Sequence, residues 1–258
     1  VLASTGDYVC LLDADDQLPL GCLAQLASVV AGTDADMVHY GIKTIGVDIS
    51  DAERAGFESY INKPMSPLLG SDIRDVAFDA KRGYLQDWRV TQRVYSAGLI
   101  RRAYEAMTRD RLGRAEDGYE YFVISSVASK QVTANDVVAL DYYYGRGLNG
   151  DRRLGPDDFL RSARDFQANI DAILEFAATQ PNASDAAEGA RVKLIELLMN
   201  DWYVRLTKED KMSCLGKLSK IIGAGNLACE LCRFARDEAY NVWVNGHEIP
   251  ADAPLRSW

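Results

Sequence analysis

One stretch near the start of the chain constrains the fold more than any other: an apolar run that ends in closely spaced carboxylates. It reads Tyr8-Val9-Cys10-Leu11-Leu12-Asp13-Ala14-Asp15-Asp16. The apolar part has the length and composition of one buried β-strand. In an open α/β sheet, ligands bind beyond the carboxyl ends of the strands, where these acids would lie. The stretch therefore predicts an α/β fold with an acidic site at one edge of its sheet.

The carboxylates of Asp13, Asp15 and Asp16 would repel one another unless a positive charge lay among them. A hard divalent cation, Mn²⁺ or Mg²⁺, that also carries phosphate oxygens meets this need. The alternative is an acidic turn that caps the next helix, because a short motif of this kind also arises by chance.

Hydrophobic periodicity divides the rest of the chain into an α/β part and a helical part. We expect a strand at 36–45 and another at 137–144, and helices at 20–30, 48–61, 71–78, 96–107 and from Glu116 onward. Beyond Gly155-Pro156 the strand patterns vanish, and helices are expected at 157–179, 183–206, 209–222 and 226–243. The sequence thus predicts an α/β domain over residues 1–150 and a helical hairpin or bundle with a C-terminal tail over 151–258.

A second acidic pair, Glu116-Asp117, begins a predicted helix, where the helix dipole favours carboxylates. Three arginines, Arg109, Arg111 and Arg114, come just before it. Acids beside a basic cluster are groups whose pKa is tuned, so this pair is a candidate for acid–base chemistry.

The predicted strand at 137–144 ends in Tyr142-Tyr143-Tyr144, followed by the glycine-rich segment 145–150 that contains Arg146. A flexible basic segment of this kind can approach a phosphate closely. Glycine-rich segments after strands are also common as plain turns, so both interpretations stay open.

Charge and apolar content exclude several classes of protein. The net charge of −9, from 38 acidic and 29 basic residues, argues against nucleic acid or an anionic membrane as a broad partner. No apolar run is long enough to cross a bilayer, and the first residues lack the pattern of a signal peptide. The 5 cysteines, an odd number, suit a reducing compartment. We therefore expect a cytoplasmic protein that is at most peripheral at a membrane; its oligomeric state is left open.

Three elements, in this order, resemble the family 2 inverting glycosyltransferases of the GT-A fold. Residues 6–16 resemble the strand of that family that ends in the metal-binding D-x-D motif. Glu116-Asp117 followed by Tyr121-Phe122 is similar to its "ED" element, and 142–146 to its "YxYR" strand end. The resemblance covers roughly residues 1–150 and implies the C-terminal part of a GT-A, Rossmann-like mixed sheet, followed by a helical region.

The resemblance also implies roles for individual residues. Asp15 would ligate a divalent metal, Mn²⁺ or Mg²⁺, with Asp13 on the ribose or in the metal shell, and Asp117 would be the catalytic base with Glu116 beside it. Arg146 would stabilise the diphosphate, and Trp88 or Tyr95 would offer a face to a sugar ring. The implied donor is a nucleotide-diphosphate sugar, and the acceptor a saccharide or a lipid-linked molecule of bacterial polysaccharide or glycolipid synthesis.

The chain also departs from this family. A nucleotide-binding half precedes the D-x-D strand in such enzymes, whereas this chain begins at Val1, without a methionine, and reaches the strand almost at once. We therefore expect the N-terminal half to be lacking and the piece alone to have little activity. Two other hypotheses remain: a non-catalytic helical interaction module with structural acids, and a phosphatase of the haloacid-dehalogenase type. The phosphatase motif calls for Thr or Val soon after D-x-D, where this chain has Asp16-Gln17.

Overall fold

The computed structural model of the protein describes residues 1–145 and 153–245. The chain groups into two compact units, the first comprising Val1–Asp151 and Asn169–Arg191, the second Arg152–Ala168 and Val192–Trp258. Residues 169–191 therefore group with the α/β part of the chain, which a boundary at residue 150 does not anticipate. The division into domains at that residue stays a prediction.

The first unit is built on a mixed sheet of five strands. In chain order they are β1 (Tyr8–Cys10), β2 (Met37–Gly46), β3 (Leu68–Leu69), β4 (Arg93–Ser96) and β5 (Lys130–Tyr144). Their order across the sheet is β1-β4-β2-β5-β3, and only β2 and β5 are parallel. The predicted mixed α/β architecture is confirmed.

The helices of the first unit form where the apolar spacing predicts them. They are α1 (Cys22–Ala31), α2 (Asp51–Ile61), α3 (Asp72–Phe78), α4 (Ala97–Ala106) and α5 (Glu116–Val127). Serine hydroxyls cap two of them: Ser50 accepts from the Glu53 N–H at the start of α2, and Ser96 accepts from the Leu99 N–H at the start of α4. Each cap satisfies one of the N–H groups that a helix leaves unpaired at its first turn.

The first strand differs from its prediction. β1 has only 3 residues and lies at the edge of the sheet, antiparallel to β4. Two of the apolar side chains in this stretch are well exposed, Tyr8 at 42% and Leu12 at 47%. The expectation of a buried strand is therefore wrong, because β1 is exposed in part and among the described residues only β4 pairs with it.

The core of the sheet is centred on β2, where Met37, Val38, Tyr40 and Ile42 are no more than 1% exposed. One cluster joins β2 to α1 and β5 through Cys22, Leu26, Tyr40, Ile42, Ala139 and Leu140. This packing fixes the C-terminal half of β5 against the start of α1. The acidic loop, residues 11–21, leads directly into α1 and so into this packed region.

The C-terminal region is helical, as predicted, with α6 (Pro156–Ala177), α7 (Ser184–Arg205), α8 (Lys208–Ile222) and α9 (Ala224–Asn245). In the second unit, the buried Trp202 of α7 lies 6.3 Å from the ring of Phe234 on α9, between ring centroids. Among the described helices, none combines the length and the apolar character needed to cross a membrane.

A bulge in β5 demands a glycine on the neighbouring strand. Pairing of β2 with β5 jumps from Tyr40–Ala134 to Gly41–Val138, so that residues 135–137 of β5 bulge out. A Cβ atom at Gly41 would lie 2.3 Å from the carbonyl oxygen of Asn135. Only a glycine lets the two backbones approach this closely.

We expect Gly41→Ala to lower the free energy of unfolding by about 1–3 kcal/mol, because the methyl group must push the bulge away. The control is Gly56→Ala, at an exposed position of α2 where a Cβ atom would meet nothing within 4 Å. This change should raise stability by about 0.5–1 kcal/mol, since alanine favours helix. Urea unfolding measures both, and equal stability of the two variants would contradict the role of Gly41.

Candidate active site

The three aspartates after β1 converge as the sequence predicts. Ligand oxygens of Asp13, Asp15 and Asp16 all lie within 4.8 Å of one another. Asp13 and Asp15 are exposed, whereas Asp16 is buried. In the part of the chain that the structure describes, this is the one group of three or more acidic, histidine or cysteine residues with such spacing.

The acidic loop is tied to the end of β5. One carboxylate oxygen of Asp16, Oδ1, accepts a hydrogen bond from the Tyr143 N–H at 3.1 Å. The next residue, Gln17, exchanges two backbone hydrogen bonds with Asp141, at 3.2 and 2.8 Å. These bonds place the loop across the C-terminal end of β5, beside the tyrosines that the sequence also singles out.

The acids do not cap the helix that follows them. The residue before α1 is Gly21, whose φ of 83° is left-handed and whose position provides no side-chain hydrogen bond to the helix. The capping alternative is therefore wrong for α1, because Asp16 binds β5 instead.

Burial and mutual repulsion both act on the acidic loop. The pKa of Asp13 is raised by burial and by Asp15, while Arg89 lowers it. Burial also raises the pKa of Asp16, which the Tyr143 N–H and Arg89 oppose and the two other aspartates reinforce. A group of carboxylates whose charged forms are disfavoured in this way is one that a cation would stabilise.

The donor set fits a divalent metal. All the available ligand atoms are carboxylate oxygens, which Mg²⁺ and Mn²⁺ prefer. The second oxygen of Asp16, Oδ2, is buried and has no hydrogen-bond partner among the described residues. A buried unpaired carboxylate oxygen is costly, and a metal or a metal-bound water would satisfy it.

Asp117 lies at the first turn of α5, as the sequence predicts. Burial raises its pKa to about 7, with Arg89 acting against this rise and Glu116 adding to it. Its Oδ1 accepts a hydrogen bond from the Gly118 N–H at 2.9 Å. A carboxylate with a pKa near neutrality is suited to taking a proton and releasing it again.

The neighbours of Asp117 on α5 are also acidic. Glu116 is exposed at the start of the helix. Glu120, one turn further on, has its pKa raised by burial, and Tyr104 opposes the rise through a hydrogen bond while Glu116 and Asp13 add to it. The electrostatic effect of Asp13 on Glu120 indicates that α5 and the acidic loop face the same space.

Arg89 is a charged residue near both acidic groups that the sequence did not single out. It lowers the pKa of Asp13, Asp16 and Asp117, and so acts on both acidic groups. Its own pKa is raised despite burial, because Asp87, Tyr142 and Asp117 stabilise the charge. The sequence signal was only its place in the aromatic and basic segment 88–95, which no motif marks out.

The other predicted site residues have different outcomes. Tyr95 is 0% exposed on β4, and its hydroxyl donates to the Val90 carbonyl at 2.8 Å. Its assignment to a sugar ring is therefore wrong, because a wholly buried ring offers no face. Trp88 is partly buried and stacks on Phe78 of α3, with 5.5 Å between centroids, so one of its faces is covered by the core. Arg146 lies outside the described residues, and its role stays a prediction.

Part of this chain matches a known protein family, and its fold matches solved structures. Residues 1–104 match the family model described as glycosyl transferase family 2. No curated protein matches the chain. Two crystal structures of S. aureus TarS 1-349, each 14% identical to this chain, share its fold. The match to the first covers 96% of this chain and 69% of that chain, with a TM-score of 0.52. The second, a complex with UDP-GlcNAc, is covered at 96% and 70% with a TM-score of 0.53.

The match of residues 1–104 and the shared fold therefore both support a family 2 glycosyltransferase of the GT-A fold.

Proposed function

We propose that the chain is a part of an enzyme that performs metal-dependent, inverting transfer of a sugar from a nucleotide-diphosphate donor to an acceptor hydroxyl. The observation that carries this proposal is Asp117, a carboxylate with a pKa of about 7 in a chain that also gathers three oxygen-donor aspartates. A base and a metal site are the two groups that such a displacement requires.

In the proposed reaction, the acceptor oxygen forms a bond to the anomeric carbon from the side opposite the leaving group. The bond from that carbon to the diphosphate oxygen breaks, and the electron pair leaves with the nucleoside diphosphate. Asp117 takes the proton of the acceptor hydroxyl. Because a single displacement reverses the configuration at carbon, one base is enough for this reaction.

Asp15 and Asp13 would hold the metal, and the free Oδ2 of Asp16 supports a place for that residue in the same site. When bound, the metal would neutralise the charge that develops on the departing diphosphate. Asp16 holds the loop on β5 through Tyr143, so its first task is to position the two exposed aspartates.

A uridine diphosphate sugar is the proposed donor, since a structure with the same fold is a complex with UDP-GlcNAc. The acceptor is proposed to be a saccharide or a lipid-linked molecule, and a cytoplasmic location stays a prediction. The match of residues 1–104 to a glycosyltransferase family model favours transfer over a phosphatase. The raised pKa of Asp117 and the three converging aspartates favour it over a non-catalytic module.

In the protein with the expected upstream half restored, Asp117→Asn should reduce the release of UDP from UDP-GlcNAc by about 10²–10⁴-fold, since the amide cannot accept the proton. The matched control is Glu105→Gln, which removes one negative charge from an exposed position on α4. The control should keep wild-type turnover. Full activity of Asp117→Asn would refute its assignment as the base.

The rate should also depend on pH through Asp117. Below a pKa of about 7 the carboxyl is protonated and cannot act as a base, so kcat/KM should fall tenfold per pH unit on the acid side and level off above it. A profile that stays flat between pH 5 and pH 8 would contradict this. The measurement is the initial rate of nucleotide release at a series of pH values across that range.

Metal binding tests the acidic loop without reference to turnover. We expect calorimetry to show Mn²⁺ binding to the wild-type chain and its loss in Asp15→Asn, because the variant lacks one carboxylate ligand. Asp136→Asn is the control, since it removes the same charge from an exposed position on β5. Equal Mn²⁺ binding by the two variants would exclude Asp15 as a ligand.

A further inference from the structure

We propose that Phe57 on α2 and Tyr142 on β5 are positioning residues whose rings hold Arg89 as a fixed cation beside Asp117. The geometry involves an element, α2, that contributes nothing to the two acidic groups themselves. The role of Asp117 as the base rests on the proposed function, whereas the placement of Arg89 does not depend on it.

The rings of Phe57 and Tyr142 both lie against the guanidinium group of Arg89. The Arg89 Cζ atom lies 4.7 Å from the centroid of the Phe57 ring and 5.0 Å from that of Tyr142. Both distances fall within the range of a cation–π interaction. Phe57 is itself stacked on Tyr142 at 5.7 Å and on Tyr144 at 4.2 Å, between centroids. The position of Phe57 is therefore fixed by the end of β5, and Phe57 in turn limits where Arg89 can move.

Hydrogen bonds from Arg93 hold the backbone around Arg89. Arg93, which is 0% exposed, donates one hydrogen bond to the Asp87 carbonyl at 2.7 Å and another to the Arg89 carbonyl. The Asp87 carboxylate accepts from the Arg89 N–H at 2.7 Å and lies 3.5 Å from the Arg89 guanidinium. The backbone of Arg89 and the guanidinium at the end of its side chain are thus both constrained.

The turn formed by residues 87–89 lies along the face of α5 that carries Asp117. The Arg93 guanidinium stacks on the ring of Tyr121, with its Cζ 4.0 Å from the centroid. Tyr121 follows Asp117 by four residues, so the two side chains share one face of the helix. A guanidinium bound to Tyr121 and to the carbonyls of 87 and 89 therefore brings Arg89 close to that face.

Four acidic groups, those of Asp13, Asp16, Asp87 and Asp117, interact with the positive charge of Arg89. The groups that act on Asp117 are Arg89, which lowers its pKa, and Glu116 and Asp87, which raise it. Arg89 also acts on Asp13 and Asp16 in the acidic loop. Because the Coulomb energy falls with distance, the position of the guanidinium decides how its effect is shared among them. The rings of Phe57 and Tyr142 set that position.

The test follows the carboxyl carbon of Asp117 by ¹³C NMR during a pH titration of the chain in the presence of a metal chelator. The Asp117 signal is assigned by its absence in Asp117→Asn. We expect Arg89→Gln to raise the pKa of Asp117 by about one unit or more, since an opposite charge nearby is removed. Phe57→Leu should raise it in the same direction by a smaller amount, and Phe57→Tyr, which keeps the ring, should restore the wild-type value.

The control for general loosening of the core is Val29→Ala. Val29 packs against the same core cluster as Phe57 and Tyr142, but it belongs to α1. We expect its Asp117 titration to match the wild type. An unchanged pKa in Arg89→Gln would overturn the proposal, as would an equal shift in Phe57→Leu and Val29→Ala.

The outcome is independent of the proposed reaction. If Asp117→Asn retains full transfer while Arg89→Gln still shifts the Asp117 pKa, the assignment of the base fails and the placement of Arg89 stands. If Phe57→Leu does not fold, Phe57→Tyr and Arg89→Gln still decide, because a changed Asp117 pKa in the former or an unchanged one in the latter contradicts the proposal.

Discussion

A buried guanidinium keeps its charge and needs acceptors for its N–H groups, and Arg93, which is 0% exposed, is such a group in this protein. It finds the carbonyl oxygens of Asp87 and Arg89 and the face of the Tyr121 ring. The carbonyls belong to the turn before β4 and the ring belongs to α5. One buried charge thus connects the start of β4 with the turn just before it and with α5 further along the chain, the helix that carries Asp117, the proposed base.

A second connection serves the other acidic group. The loop after β1 is short of regular structure, yet its backbone pairs with β5 at Gln17 and its Asp16 side chain accepts from the Tyr143 N–H. β5 in turn pairs along its length with β2, the most buried strand of the sheet. The exposed aspartates therefore stand on a rigid support, which limits the entropy that the loop would lose on binding a metal and a diphosphate.

The sequence was sufficient for those features that are local. Apolar spacing located α2, α4 and α5, and the motif at 13–16 located the acidic cluster. β4 was missed because only four residues separate a 3₁₀ turn from a helix, which is too short a run for a period to show. Arg89 and Phe57 were missed for another reason: each acquires its role from residues distant in the chain. Tyr95 was misplaced because aromatic character does not tell an exposed ring from a buried one.

The bulge of β5 determines where this strand can change its length. Alternate side chains of a strand point to opposite faces, so Tyr142 and Tyr144 both meet Phe57. The backbone N–H of Tyr143, between them, donates to Asp16 in the acidic loop. Inserting or deleting one residue of β5 between the bulge and Tyr142 would move the side chains of Tyr142 and Tyr144 to the opposite face of the sheet. Residues 135–137, which lie outside the regular pairing, are the place where such a change can be absorbed. Insertions and deletions in homologues of this strand should therefore collect at the bulge, leaving the tyrosine end in register.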